Sequence, residues 1–576
     1  MDPAHAVLIS LGTLLALLVH GRFPPMLLFS VWAGGFHVLG LIDQETLLTS
    51  YANPGLAVLV LLMIVSLVLE RAPILEIAFR KLINGRTGPA VFKLSAVTAL
   101  ASAFLNNTAV VSALLGTVSN QRTHPPSKLL LPLSYAAVLG GITTLVGTST
   151  NLVVNSFAVR AGLEPIGMFQ MAWVGVPVAV ACILLLGVLA RWLPDRGQRN
   201  HHGRQDYFLE ARVGTTSPLI GKSIEQNALR NLEGLFLVEI MRDGRLISPV
   251  TPEEVLEADD TLIFTGEVDK MHVIERFPGL QVFGTRADAL LRSNLVEVVI
   301  SNESELANRT LREVDFRTMF DAGVVGIRRG EKRLTGQLGR IPLRVGDALL
   351  LAVGKDFAQH RNLTRNFHVV GGAPLHPKLS NIQTAWSLGG FALVIALATA
   401  GILPLFAGLL LMLGALIATR TLTMGEIRRR FPFELVLVVG GALAIARSLE
   451  SSGGADLITD AVKAVFHGHG VWGAFVGIYL MTVILTECVT NNAAAALAFP
   501  IALSTARAFG ADPTPFVMVV AYGASAAFMM PSGYQTHLMV YSPGRYRTLD
   551  FVRSGLPMSL LYAALVITLT PMRFPF

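Results

Sequence analysis

Residues 102–115 read SAFLNNTAVVSALL, and residues 486–499 read TECVTNNAAAALAF. Each places a tandem carboxamide, Asn106–Asn107 or Asn491–Asn492, inside an apolar run. A buried amide is costly in hydrocarbon unless something hydrogen-bonds to it. A single polar residue in such a run is ordinary interhelical glue. A pair recurring at matched positions is harder to ascribe to packing. Asn107 aligns with Asn491 and Ser102 with Thr486 at an offset of 384, and GTSTNLVV from Gly147 aligns with GYQTHLMV from Gly533 at 386. One end of the chain repeats the other.

Composition sets the class. The chain has 576 residues, 52% hydrophobic and 15% charged, with a mean hydropathy of +0.57. That is too apolar for a soluble protein, so a polytopic α-helical membrane protein is expected, with the lipid bilayer as its partner. The first apolar run lacks a basic flank and a small-residue cleavage site, and reads as a spanning helix instead of a removable signal. Cys182 and Cys488 lie in apolar segments, which excludes a disulfide framework. The +7 charge is scattered over loops, which suits anionic lipid and not nucleic acid. No nucleophile with a matched base is evident, so an enzyme is not expected.

Three blocks follow: a membrane repeat at 1–195, a polar insert, and a second membrane repeat at 380–576. Each repeat parses as three spans, a re-entrant hairpin, a span broken in its middle, and a fifth span. The hairpins fall at 92–120 and 471–508 and the broken spans at 128–162 and 514–545. Hairpin arms of 12–18 residues are about 18–27 Å long as helix, short for a core of about 30 Å. An odd number of crossings per half inverts the second copy. Basic residues such as Arg71, Arg80, Lys81, Arg122, Lys128, Arg428–Arg430, Arg545 and Arg547 gather on one side of this parse. By the positive-inside rule that side is cytoplasmic in a cell inner (plasma) membrane, and both termini lie outside.

Irregular backbone at membrane depth is tolerated only where protein or a wet cavity satisfies it. Two tips and two breaks in symmetric positions therefore point to a central site. Four helices beginning there, after Asn107, Asn491, GTST (147–150) and PSGYQT (531–536), would make an anion site without Lys or Arg. Ser102, Thr486, Asn107 and Asn491 offer hard oxygen ligands suited to Na⁺, one cation site per repeat. Glu487 reads equally as a proton carrier or as a structural pair. His537 reads equally as structural or as substrate-facing, and HGHG (467–470) as a polar loop more than a metal site.

The insert repeats too. SPLIGKSI from Ser217 matches SELANRTL from Ser304, and LEADDTLIFTG from Leu256 matches LRVGDALLLAVG from Leu343, at an offset of 87. The plan of polar turn, helix, strand, basic hairpin turn, acidic turn and strand resembles the TrkA C-terminal (RCK-C) domain, here a tandem pair at 205–280 and 288–370. That resemblance implies small α/β modules that regulate transport through a small-molecule effector, or serve dimerisation.

NNT (106–108) and TNN (490–492) resemble the paired Ser-Asn-Thr motifs of the divalent-anion:sodium symporter family, and GTSTN (147–151) resembles its GTPPN loop. Asn106, Asn492, Ser149, Thr150 and His537 depart from that pattern. With the inserted pair, the whole looks more like the sulfate-transporting branch than the dicarboxylate one. The resemblance implies an elevator-type symporter, a homodimer, and Na⁺ as coupling ion, with H⁺ as the alternative. It implies substrate contacts from Asn106, Asn107, Thr108, Gly147, Thr148, Ser149, Thr150, Asn151, Thr490, Asn491, Asn492, Ser532, Gly533, Tyr534, Thr536 and His537. It implies sodium contacts from Ser102, Asn107, Gly147, Thr486, Asn491 and Pro531. A sodium/dicarboxylate symporter is the alternative. A channel gated by the inserted modules is the rival from another class; the GYQ of PSGYQT lacks a full filter signature.

Overall fold

The computed structural model describes residues 3–20, 23–72, 86–121, 123–196, 379–466 and 468–576, and within the insert 208–229, 232, 235–243, 245–247, 250–266, 274, 276–283, 295–334, 338–353, 357, 360 and 362–371. Arg80, Lys81, Arg122 and His467 lie outside the described residues.

The first block runs α1 Pro3–His20, α2 Pro25–Val38, α3 Gln44–Tyr51, α4 Pro54–Leu69, α5 Thr87–Ser102, α6 Asn107–Asn120, α7 Pro126–Gly141, α8 Ser149–Arg160 and α9 Ala172–Leu189. The last block runs α10 Asn381–Thr399, α11 Leu405–Ala418, α12 Met424–Arg430, α13 Phe433–Ser451, α14 Gly454–Phe466, α15 Gly470–Cys488, α16 Asn491–Ala508, α17 Pro513–Gly523, α18 Gln535–Tyr541 and α19 Thr548–Arg573. Among the described residues, six helices are long and apolar enough to cross a membrane, or seven if the bent pair α12–α13 is one span. The chain is a multi-pass membrane protein.

Helix starts follow local chemistry. Asn53 accepts from the Gly55 and Leu56 amides at the head of α4, and Asp512 accepts from Thr514 N at the head of α17; both precede a proline, whose missing N–H costs nothing at that place. Thr423 and Glu426 form a capping box on α12, whose last turn carries Arg428, Arg429 and Arg430 where cations suit the helix dipole.

The chain turns back at 103–106 between α5 and α6 and at 489–490 between α15 and α16. α15 has 19 residues and is long enough to cross unaided, longer than the expected arm. The segments expected as broken spans hold the helix pairs α7 with α8 and α17 with α18, interrupted at 142–148 and 524–534. α7 from Leu129 to Gly141 and α17 from Pro515 to Gly523 are buried throughout. They are the axis on which the rest packs. α14, between the third span and the hairpin, was not anticipated; it packs on α16 and α1. Outward faces stay apolar, as at Ile9, Leu393 and Leu560, as lipid contact demands. Trp173 and Trp472 lie exposed near helix ends, where amphipathic rings favour a membrane–water boundary.

The insert forms two five-stranded antiparallel sheets. The first contains β1 Phe208–Val213, β2 Leu235–Arg242, β3 Arg245–Ile247, β4 Thr261–Gly266 and β5 Leu280–Phe283, in the order β3-β2-β4-β1-β5. The second contains β6 Leu295–Ile300, β7 Ala322–Arg329, β8 Lys332–Leu334, β9 Ala348–Val353 and β10 Phe367–Gly371, in the order β8-β7-β9-β6-β10. The order is the same once each strand is shifted by five. Details recur at the offset of 87: β-bulges at Leu237/Glu239 and Val324/Gly326, and bidentate pairs Arg242–Asp260 and Arg329–Asp347 that tie each hairpin to its acidic turn. Strand alternation gives the second sheet two apolar faces. Val298, Ile300, Leu349 and Leu351 fill its own core, while Val299, Ala348 and Val370 join the core of the membrane blocks.

Candidate functional site

Both tips and both breaks meet at one place. Asn106 caps α6 by accepting from Thr108 N at 3.0 Å. Asn107, 1% exposed, accepts from Ser102 Oγ at 2.6 Å and donates through Nδ2 to the Tyr534 hydroxyl at 2.5 Å. Thr108 Oγ1 donates to Gln535 Oε1 at 3.3 Å. From the other tip, Asn492 Oδ1 accepts from Ser149 Oγ at 3.2 Å and Thr150 Oγ1 at 3.4 Å. The Thr148 and Tyr534 hydroxyls are 3.2 Å apart.

These contacts obey the sequence offsets. Thr108 with Gln535 and Asn492 with Ser149 are images of one another, and Thr148 and Tyr534 occupy equivalent positions. The copies differ where size differs. Tyr534 reaches Asn107, but its counterpart Thr148 is short, and the buried Nδ2 of Asn491 has no hydrogen-bond partner. Likewise Ser102 donates to Asn107, whereas Thr486 Oγ1 donates to the Ala524 carbonyl at 2.6 Å.

Each break is stitched by the residue four positions after its glycine. Asn151 Nδ2 donates to the carbonyls of Gly141 at 3.0 Å and Thr144 at 2.8 Å. His537, its counterpart, places Nε2 2.7 Å from the carbonyl of Ala527, the counterpart of Gly141. A carbonyl can only accept, so Nε2 carries the proton and Nδ1 accepts from Ser134 Oγ at 2.7 Å. The Ser134 hydroxyl also lies 2.8 Å from Thr536 Oγ1. Both ring nitrogens of His537 are engaged with protein, and the residue is fully buried in the wall behind Tyr534.

Glu487 anchors the second break. Its Oε1 accepts from the amides of Phe528 (3.0 Å) and Met529 (2.9 Å), and Oε2 from that of Met530 (3.0 Å). The first break uses Thr144 instead, which accepts from Gly147 N at 3.1 Å and donates to the Ala103 carbonyl. Thr490 and Ser532 are exposed, and Pro531–Gly533 forms a 3₁₀ turn.

Glycines let oxygens crowd together at the first tip. A Cβ on Gly147 would lie 2.7 Å from the Gly141 carbonyl oxygen and 3.0 Å from that of Ser102; on Gly141 it would lie 2.6 Å from Asn107 Oδ1. Those carbonyls, with Asn107 Oδ1 and the Ser102 hydroxyl, are a hard-oxygen donor set of the kind alkali and alkaline-earth cations take. At the second tip a Cβ on Gly533 would lie 3.0 Å from Glu487 Oε2 and 3.6 Å from the Thr486 carbonyl oxygen. α6, α8 and α16 begin at this junction; the fourth helix, α18, has only seven residues.

A narrow cleft lies beside the first tip. Asn106, Gly147, Thr148 and Ser149 form one wall, and Leu59, Leu62 and Met63 of α4 with Phe391 of α10 form the other. Gln535, Ser134 and Thr144 belong to the junction and were not singled out from the sequence. Gln535 is the counterpart of Ser149, so the offset of 386 was the signal that pointed to it. Among the described residues no group of three His, Cys, Asp or Glu side chains is poised to hold a metal ion.

Uncharged donors and acceptors gathered from two halves of an apolar bundle, beside a cleft, define a membrane transport protein. The chain belongs to the CitMHS family, described as citrate transporters, whose sequence profile matches residues 1–523. It is 30% identical over 563 residues to a putative sulfur deprivation response regulator of Chlamydomonas reinhardtii, covering 93% of this chain and 96% of that one. It is 30% identical over 559 residues to an uncharacterized transporter of Synechocystis, covering 91% and 89%. It is 27% identical over 366 residues to sodium/sulfate cotransporter 1 of Chlamydomonas reinhardtii, covering 61% of this chain and 42% of that one. These relatives accord with the resemblance to divalent-anion:sodium symporters carried by NNT, TNN and GTSTN.

Proposed function

We propose that the chain is a secondary active transporter of sulfate or a similar compact divalent anion, driven inward by Na⁺. The observation that carries the reading is the junction itself: uncharged side chains drawn from both halves meet across it beside a cleft, Asn107 and Thr148 with Tyr534, Thr108 with Gln535, and Ser149 with Asn492. The buried, unpartnered Asn491 amide is the donor a substrate oxygen would take up, since an unmet buried donor is costly until it is bonded. Without Lys or Arg at the junction, binding stays weak enough for release. The oxygen cluster around Gly147 supplies the first Na⁺ site, and the Thr486, Asn491 and Pro531 region the second. A cation beside the anion lowers the cost of desolvating both.

Contacts paired at the offsets of 384 and 386 support two inverted repeats related by an axis passing between Thr148 and Tyr534. The apolar wall of α4 and α10 facing the polar tips supports an elevator-like displacement of tips and breaks against a scaffold. The second sheet sits at the basic side, where Glu331 pairs with Arg547, which supports a cytoplasmic insert, here taken as a TrkA-C-like pair. The chain acts as a homodimer through the scaffold. The family description favours one second reading, a carboxylate substrate such as citrate.

In proteoliposomes, labelled sulfate should accumulate against its gradient when Na⁺ is outside, and citrate or succinate should compete poorly. No accumulation under a Na⁺ or a proton gradient ends the symport reading; strong competition by citrate ends the sulfate one. Asn107→Ala leaves Ser102 and Tyr534 without their shared partner, at about 1–3 kcal/mol, so uptake should fall at least about tenfold in protein that still elutes as a single species.

A further inference from the structure

The second sheet is seated on the two helices that carry the site. α6 begins at Asn107 and Thr108, and near its far end Asn120 Nδ2 donates to the Val370 carbonyl of β10 at 2.8 Å. Gly116 allows the approach: a Cβ there would lie 3.2 Å from the same oxygen. α18 begins beside Tyr534, and just past its other end Ser542 Oγ accepts from Gly330 N at 3.0 Å and donates to the Gly346 carbonyl at 2.5 Å. Glu331 pairs with Arg547 at 2.5 Å.

Comparing the sheets shows which residues make the seat. Gly330 and Gly346 have φ of 57° and 84°, the left-handed region that favours glycine. Their counterparts at the offset of 87 are Asp243 and Asp259, which hold the same turns at φ 49° and 67°. Aspartate tolerates that conformation, so the turns alone do not demand glycine. Contact with the membrane block does. A Cβ on Gly330 would lie 2.6 Å from the Tyr546 carbonyl oxygen and 2.8 Å from the Tyr541 ring, and one on Gly346 would lie 3.1 Å from the Leu538 carbonyl oxygen. Asp243 and Asp259 carry side chains at the places where the second sheet has none.

We propose that the second sheet is a control element gripping the cytoplasmic end of α6 through Asn120 and Val370 and that of α18 through Gly330, Gly346 and Ser542, so that its seating fixes the geometry of Asn107 and Tyr534 at the opposite ends. This rests on the reading of the tips as the substrate site. Two short helices transmit the grip. Each joins the seat at one end to the Asn107–Tyr534 hydrogen bond at the other.

The test borrows the first sheet's own residues. Gly330→Asp with Gly346→Asp should leave the sheet folded, as Asp243 and Asp259 do in its twin, but unseat it. In the full chain, hydrogen exchange should then rise about tenfold or more at 541–547 and also at 106–109 and 534–537, and the apparent KM for sulfate should shift. Ser542→Ala, which alters only the membrane side, should act in the same direction more weakly. Asp243→Gly with Asp259→Gly should change neither region. A rise confined to 541–547, or none in either variant, overturns the proposal. The exchange readout needs no substrate, so absence of sulfate uptake by the unaltered protein would defeat the transport reading while the control of tip geometry is still decided.

Discussion

His537 and Asn151 show how unlike residues keep one role. Each sends a side-chain N–H back ten residues to a carbonyl, Gly141 at the end of α7 and Ala527 just past the end of α17. Neither carbonyl has a helical partner, because the helix has stopped at or before it. The consequence is a pair of predictions for uptake and melting temperature. His537→Asn should retain most activity, since a carboxamide can donate to Ala527 as it does at Gly141. His537→Ala should leave the Ala527 carbonyl unmatched in a dry interior, at about 1–3 kcal/mol, and should lower both. Gly141→Ala should be more severe for uptake than for folding, because its Cβ would meet the Asn107 carboxamide 2.6 Å away. The identity of these carbonyls was not legible in the sequence: histidine and asparagine look chemically different, and only the fold shows that each closes the same gap.

The doubled tips and breaks were legible because polar residues in an apolar run stand out and the offset repeats them. What the sequence left open was how each irregular segment is held. The first break relies on Thr144 and the second on Glu487, residues at different places in the repeat. A carboxylate that accepts from three successive amides orders the segment from Phe528 to Met530, much as a helix cap orders a first turn. Glu487→Gln keeps the size but gives up one of the two acceptor oxygens and the charge assistance. Thermal unfolding in detergent should come earlier, by about 1–3 kcal/mol, whereas Glu487→Asp should be intermediate. If Glu487→Gln melts like the unaltered protein yet abolishes coupling, the carboxylate works as a proton carrier and not as an anchor. The added helix α14 and the length of α15 were likewise hidden, since hydropathy reports composition and not where a chain reverses.

Across the molecule, the boundary between the second sheet and the membrane blocks carries its own pH dependence. His368 lies opposite Val299 on the face of β10 and β6 that packs on the membrane blocks. Burial first, and the Arg430 guanidinium second, hold its imidazole down to about 4. A released sheet would bind a proton near the ordinary value of about 6.5, and a seated one would not. Seating is therefore fully favoured above about 6.5 and weakens as pH falls from there toward 4. Exchange in β10, corrected for its intrinsic pH dependence, should increase between pH 7.5 and pH 5, and His368→Asn should flatten that response.

The meeting of Thr148 with Tyr534 has one more consequence. In a duplicated transporter the halves trade roles between its two end states, and identical halves would leave those states equal in energy. A phenol facing a small hydroxyl breaks the degeneracy. On the proposed inverted-repeat reading the idle carrier would favour one side of the bilayer, and Tyr534→Thr should reduce that preference.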